Sequence, residues 1–211
     1  MLVVAGGHPP QLNPSDLPLV DVVIAADSGF DHAIALGFRI DVLVGDLDSI
    51  SKAGLREAED TAVTIERHPT AKNETDLEIA LAAAAAHDPE RIIVIGATGG
   101  RLDHELANVG VAAGYCSAGR RVELHTVGEQ VVFVAAHTVV EVPAPVGTTV
   151  SLVPIGAPAL GVTTAGLRWP LRNATLSPYG TLGVSNVVSE SGATVTLTHG
   201  VLAIIANLAA T

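Results

Sequence analysis

The chain has 211 residues, enough for one large domain or two small ones with a sizeable core. Hydrophobic residues are 48% and charged residues 16% of it, which excludes a disordered chain. The formal net charge of −11 argues against nucleic acid as a partner, because a field of that sign repels phosphate backbones, and it means that any phosphate site needs metal ions or a few placed cations.

From the N-terminus, Leu2–Ala5, Val20–Ala25, Val42–Val44 and Arg91–Ile95 read as buried strands, being short β-branched runs. Phe30–Leu36, Asp76–Ala86 and Asp103–Ala118 read as helices. Gly37 is placed to end the first, and Thr75 with Glu78 forms a capping box that opens the second. The alternation predicts an α/β N-terminal domain with a mainly parallel sheet and flanking helices. From about Val131 the helical pattern vanishes. Val139–Val142, Thr149–Val153, Gly161–Thr164, Arg172–Leu176, Thr194–Leu197 and Val201–Ile205 follow, separated by Gly, Pro, Asn and Ser. That texture predicts a C-terminal all-β, sandwich-like domain. The expected domains are 1–128 and 129–211, joined near 126–135.

Cys116 is the single cysteine, so no intrachain disulfide forms, and it reads as a small buried apolar side chain. Met1 to Gly7 lacks the basic start of a signal peptide. The run Leu81 to Ala86 is far too short to cross a membrane. The expectation is a cytoplasmic protein with no membrane or nucleic-acid partner.

Open α/β sheets carry their sites beyond the carboxyl ends of the strands. Acid and glycine gather at such ends here: Ala26-Asp27-Ser28-Gly29, Gly45-Asp46-Leu47-Asp48-Ser49, Asn73-Glu74-Thr75-Asp76, and Gly96 through Gly99-Gly100-Arg101-Leu102-Asp103-His104. A lone Asp at a helix start is ordinarily a cap or a dipole partner, and that reading stands for Asp76 or Asp103 taken singly. It weakens for Asp46 and Asp48, one residue apart, which repel each other unless solvent or a cation offsets them. Several acids at one sheet edge suit Mg²⁺ and a polyphosphate, since Mg²⁺ takes a few carboxylates plus phosphate oxygens. Gly99-Gly100 before a helix lets backbone amides approach phosphate, and Arg101 adds a guanidinium fork. Gly6-Gly7-His8 reads equally as a phosphate or ribose contact or as an ordinary βα turn. Neither the dinucleotide fingerprint nor the P-loop pattern is present.

Taken in order, the motifs around Asp27, Asp46-Leu47-Asp48, Thr75-Asp76 and Gly99 to His104 with Asn108 resemble those of the thiamine pyrophosphokinase family. Gly166-Leu167-Arg168-Trp169-Pro170-Leu171 and Gly183-Val184-Ser185-Asn186 resemble its thiamine-binding β-domain. Ser28 stands where the family often has glycine, and Asn73 where many members have an acid, which removes one charge near the metal. The resemblance implies a homodimer with the active site between the catalytic domain of one subunit and the β-domain of the other. It implies transfer of the pyrophosphoryl group of ATP to the hydroxyl of thiamine, with AMP released. Asp46, Asp48 and Asp76 would hold Mg²⁺ and, with Asp103, form the catalytic set. Asp27, Ser28, Gly29, Thr75, Gly99, Gly100, Arg101, His104 and Asn108 would bind ATP. Trp169, Ser185 and Asn186 would bind thiamine.

Three points stay open on the residues alone. The acceptor for the hydroxyl proton is Asp76 or Asp103, while His104 reads as structural, on one helical face with Asn108. Trp169 either packs in the β-domain core or stacks on a thiamine ring, and Ser185 and Asn186 also suit a turn. The rival readings are a Mg²⁺-dependent phosphohydrolase that uses the same carboxylates to activate water, and a nucleotide-sensing regulator on the same fold.

Overall fold

The structure is a computed structural model that describes residues 1–8 and 12–208. Its contacts divide the chain into two units, one of Met1–Asn108 with His125–Val127, the other of Val109–Leu124 with the chain from Gly128 onward.

In the first unit, β1 (Leu2–Val4), β2 (Val23–Ala26), β3 (Val42–Gly45), β4 (Thr64–Arg67) and β5 (Ile92–Ile95) run parallel in the order β5-β1-β2-β3-β4. The inner strands are almost wholly buried because helices cover such sheets on both faces, which is why they read as unbroken apolar runs. Leu2, Val4, Val23, Ala25, Leu43, Ile93 and Ile95 form one core with Phe30 and Ala33 of α1 (Gly29–Ala35) and Ala58 of α2 (Lys52–Asp60). Helix α3 (Asp76–Ala86) packs on β1, β2, β3 and β5. Leu77, Ala80, Leu81 and Ala84 are its buried residues, two leucines and two alanines that face the sheet. Helix α4 (Leu102–Ser117) follows β5.

Helix α2 and strand β4 lie outside the elements expected from sequence. Gly54 and Ala58 are the buried residues of α2, and Leu55 packs partly buried against the core, so its apolar stripe is short and made mostly of small side chains. Its start is set instead by Ser51, whose hydroxyl accepts from Gly54 N at 2.9 Å and donates to Asp31 at 2.6 Å. Strand β4 is the polar edge of the sheet, where charged residues are favoured. Strand β2 begins at Val23, later than the expected Val20, and Asp41 Oδ2 accepts from Val23 N there.

In the second unit, β6 (Val122–His125), β7 (Glu129–Ala135), β9 (Thr149–Pro154), β12 (Asn186–Val187) and β14 (Val201–Asn207) lie in the order β12-β9-β14-β7-β6. The β7–β14–β9–β12 ladders are antiparallel. A second antiparallel sheet has the order β11-β10-β13-β8, from β8 (Val139–Glu141), β10 (Ala159–Ala165), β11 (Ala174–Leu176) and β13 (Thr194–Thr196). Val134, Val150, Leu152, Leu202 and Ile204 from the first sheet meet Val162, Leu176 and Val195 from the second in one core. This is a sandwich, with alternate residues of β9 facing in and out. Cys116 is buried, and burial pushes its thiol up to about 11, so it supplies no thiolate near neutral pH.

Candidate active site

A cleft of about 530 Å³ opens at the carboxyl edge of the parallel sheet, entirely within the first unit. Its floor is built from the turns after β1, β2 and β5. Gly7 N donates to Gly96 O and His8 N to Thr98 O, each at 2.8 Å, so the Gly6-Gly7-His8 segment is a turn laced to the β5 turn, and Gly6 and Gly7 line the cleft. Gly29 is fixed by close approach, since a Cβ there would lie 2.0 Å from Val4 O.

Asp27 leaves β2 at φ 47° and is 5% exposed. Its carboxylate accepts from Ile50 N at 2.9 Å and Ser49 N at 3.3 Å, which pins the loop after β3. Burial, with the charges of Asp76 and Asp48, outweighs those two amides and pushes its pKa up to about 6. Leu47 in that loop holds φ 63°. Positive φ in non-glycine residues is costly and collects at functional sites.

The loop divides its two acids. Asp46 turns inward, half-buried, while Asp48 is exposed and its Oδ1 accepts from Ser49 Oγ at 2.8 Å. Asp76 is the first residue of α3, after the cap Thr75, whose hydroxyl accepts from Glu78 N at 3.2 Å. Asp27, Asp46 and Asp76 bring carboxylate oxygens within 4.8 Å of one another. The structure thus draws Asp27 into the cluster and leaves Asp48 beside it. Asp103 stands apart on α4, exposed, where Arg101 donates to it through both Nε and Nη2. That pairing holds the Asp103 carboxyl below its usual range.

Lys72, which carried no signal in the sequence reading, places Nζ 2.8 Å from Asp76 Oδ1 and 3.4 Å from Asp46 Oδ2. Its spacing of four from Asp76 was the available clue. Burial opposes the charges of both Lys72 and Asp46. For Lys72 the neighbouring Asp76 and Asp46 prevail and raise its pKa; for Asp46 the Asp48 amide and Lys72 prevail and lower it.

Gly99 N and Gly100 N, expected to face phosphate, donate to Glu105 Oε1 at 2.7 and 2.9 Å. Glu105 is a second residue that sequence reading passed over. Asn108 is 8% exposed and donates to Ala97 O at 2.7 Å, tying α4 to the β5 turn, and His104 lines the cleft.

In the second unit Trp169 is 56% exposed, so it is not a core residue. Arg168 lies over its ring, 5.6 Å from the centroid. Asn186 is buried and spends its amide on the Trp169 backbone, accepting from Trp169 N at 3.1 Å and donating to Trp169 O at 2.8 Å. Ser185 is exposed at φ 58°, its amide bonded to Ser151 Oγ.

Among family models, one described as thiamin pyrophosphokinase, catalytic domain, matches residues 17–124, and one described as thiamin pyrophosphokinase, vitamin B1 binding domain, matches residues 136–202. The chain is 28% identical to the thiamine pyrophosphokinase of Bacillus subtilis over 213 residues, 96% of each chain. It is 28% identical to thiamine pyrophosphokinase 1 of Oryza sativa subsp. japonica over 77% of this chain, and spans only 64% of that relative's length. A crystal structure of a thiamin pyrophosphokinase family protein from Enterococcus faecalis superposes with a TM-score of 0.83 at 28% identity, over 98% of this chain and 97% of that one. The crystal structure of the Bacillus subtilis protein gives a TM-score of 0.85 over 98% of each chain at 24% identity, a likeness of fold.

Proposed function

The chain belongs to the thiamine pyrophosphokinase family, and from that premise we propose that it transfers the pyrophosphoryl group of ATP to the hydroxyl of thiamine, releasing AMP. The observation that carries the reading is the Asp27–Asp46–Asp76 cluster beside the glycine-floored cleft.

The cluster fits a divalent ion of the Mg²⁺ type. Oxygens sharing one Mg²⁺ lie about 3 to 4 Å apart, given metal–oxygen distances of about 2.1 Å, so a small contraction of the three carboxylates suffices. Asp76 Oδ1 is buried and faces the Lys72 ammonium at 2.8 Å, so this oxygen already sits where a cation is held. When bound, the ion neutralises charge on the polyphosphate oxygens.

The remaining work falls to the chain. Asp27 sets the position of the loop that carries Asp46 and Asp48, and the cap at Thr75 fixes Asp76. Arg101, on turning away from Asp103, and the Gly99 and Gly100 amides, on release from the Glu105 carboxylate, would receive phosphate oxygens, with Ser28, Gly29, His104 and Asn108 shaping the nucleotide side of the cleft. Asp76 or Asp103 accepts the proton of the thiamine hydroxyl. In the second unit Trp169 offers its open face to a thiamine ring, Ser185 offers a hydroxyl, and Asn186 acts by fixing the Trp169 backbone. We place the active form as a homodimer in the cytoplasm. Exposed Trp169, Tyr179, Leu182 and Val184 support a partner surface, and no helix among the described residues is long and apolar enough to cross a membrane.

Incubation with ATP, Mg²⁺ and thiamine tests this. AMP and thiamine diphosphate in equal amounts is the expected result. Phosphate release without thiamine would replace the reading with a hydrolase, and binding without turnover would replace it with a regulator.

A further inference from the structure

We propose that Lys72 is an internal counter-cation of the carboxylate cluster, and that its ammonium leaves Asp46 and Asp76 when a divalent ion arrives. The inference rests on the reading that this cluster takes such an ion.

Three carboxylates with oxygens within 4.8 Å repel one another unless a cation sits among them. Lys72 is that cation. Its side chain is 10% exposed, against 85% for Arg39 and 55% for Arg67 in their surface pairs with Asp41 and Glu59. A long, strongly hydrated side chain is held under cover only where the compensating charges are close. The ammonium faces the buried Asp76 Oδ1 at 2.8 Å, and no directed hydrogen bond reaches that oxygen from elsewhere.

A divalent ion bound about 2.1 Å from the same oxygens would lie within contact distance of Nζ. The two cations compete for the same lone pairs and repel each other, so ion entry and the Lys72 pair exclude one another. Lys72 belongs to the link before α3, outside any helix or strand, and its four-carbon stem has the rotatable bonds that a swing of the ammonium away from the acids requires. Once released, its ammonium is a mobile positive charge beside the cleft, suited to a phosphate oxygen. Ion loading and the supply of a phosphate-facing cation become one event.

The chain has only two lysines, Lys52 and Lys72, which gives a direct assay in the unmutated protein. Amine acetylation read by peptide mass spectrometry, with Mg²⁺ alone added, should speed up at Lys72 and leave exposed Lys52 unchanged. Equal or slower labelling of Lys72 with Mg²⁺ would overturn the proposal. Mn²⁺ alone, titrated by electron paramagnetic resonance, should bind Lys72→Met about tenfold more tightly than the parent, with Lys72→Arg near the parent. Lys72→Met should melt lower without metal and recover with Mn²⁺. A merely structural ion pair would lower the melting temperature and leave Mn²⁺ affinity unchanged or weaker, which would also overturn it. Neither readout uses thiamine or turnover, so failure here and failure of the transferase reading are separate results.

Discussion

Asp27 is 5% exposed at φ 47°, its carboxylate held by two backbone amides, while Trp169 is 56% exposed with Arg168 lying over its ring. The first unit keeps its candidate ligand groups crowded and shielded. The second keeps one flat apolar group in the open. The contrast follows from the charges to be met. Carboxylates attract a cation most strongly when water is excluded and rivals are few. A ring that stacks on a flat cation gains from being uncovered beforehand, because the water it sheds is loosely held.

The contrast can be broken at several points. The largest effect should come from Asp46→Asn or Asp76→Asn, each lowering turnover about 100-fold or more while circular dichroism stays native. Near-normal rates in both would remove the cluster from the chemistry. Asn186→Ala should cost roughly 2 kcal/mol of stability in urea unfolding, since it strips a buried amide from the Trp169 backbone. Unchanged stability would mean that Trp169 is held some other way. Trp169→Ala should raise the thiamine KM about tenfold, about 1.4 kcal/mol, with the ATP KM little altered. A shift in the ATP KM alone would give the ring to the nucleotide.

The smallest effect concerns Asp27. Its folded pKa of about 6 lies above the ordinary carboxyl value near 3.9, so between about pH 4 and 6 the folded chain keeps a proton that the unfolded chain has released. Metal-free stability should therefore fall as pH rises through that window. Asp27→Asn should flatten this part of the curve, and the melting-temperature gain from Mg²⁺ in the parent should grow above pH 6. A slope that survives in Asp27→Asn would assign the titration elsewhere.

The strands around Val3, Ile24, Leu43 and Val94 were legible because a twice-covered sheet demands apolar side chains on both faces. Helix α3 was legible from its alanines and its cap. Helix α2 was not, because it is only nine residues long and its buried residues, Gly54 and Ala58, are small, so its apolar stripe is brief. The acids after β2 and β3 stood out by composition, yet their division did not. Only the left-handed turn at Leu47 decides that Asp46 faces the cluster and Asp48 the solvent. Lys72 and Glu105 escaped because each acts through a fold-dependent contact, one with acids before and after it, the other with amides five and six residues back. In the second unit the residue types were visible around Trp169, but the amide of Asn186 turned out to serve the backbone.

The alanine face of α3 has a consequence for heredity. Ala80 and Ala84 are 0% exposed, and Ala84 lies eight residues beyond Asp76, about 12 Å along the axis. A bulky side chain there would wedge the helix from the sheet and swing its opposite end, like a door pushed near the hinge. A map of tolerated variants should therefore show a silent-looking stretch of small residues, far from any ligand, that resists change as firmly as the acids themselves.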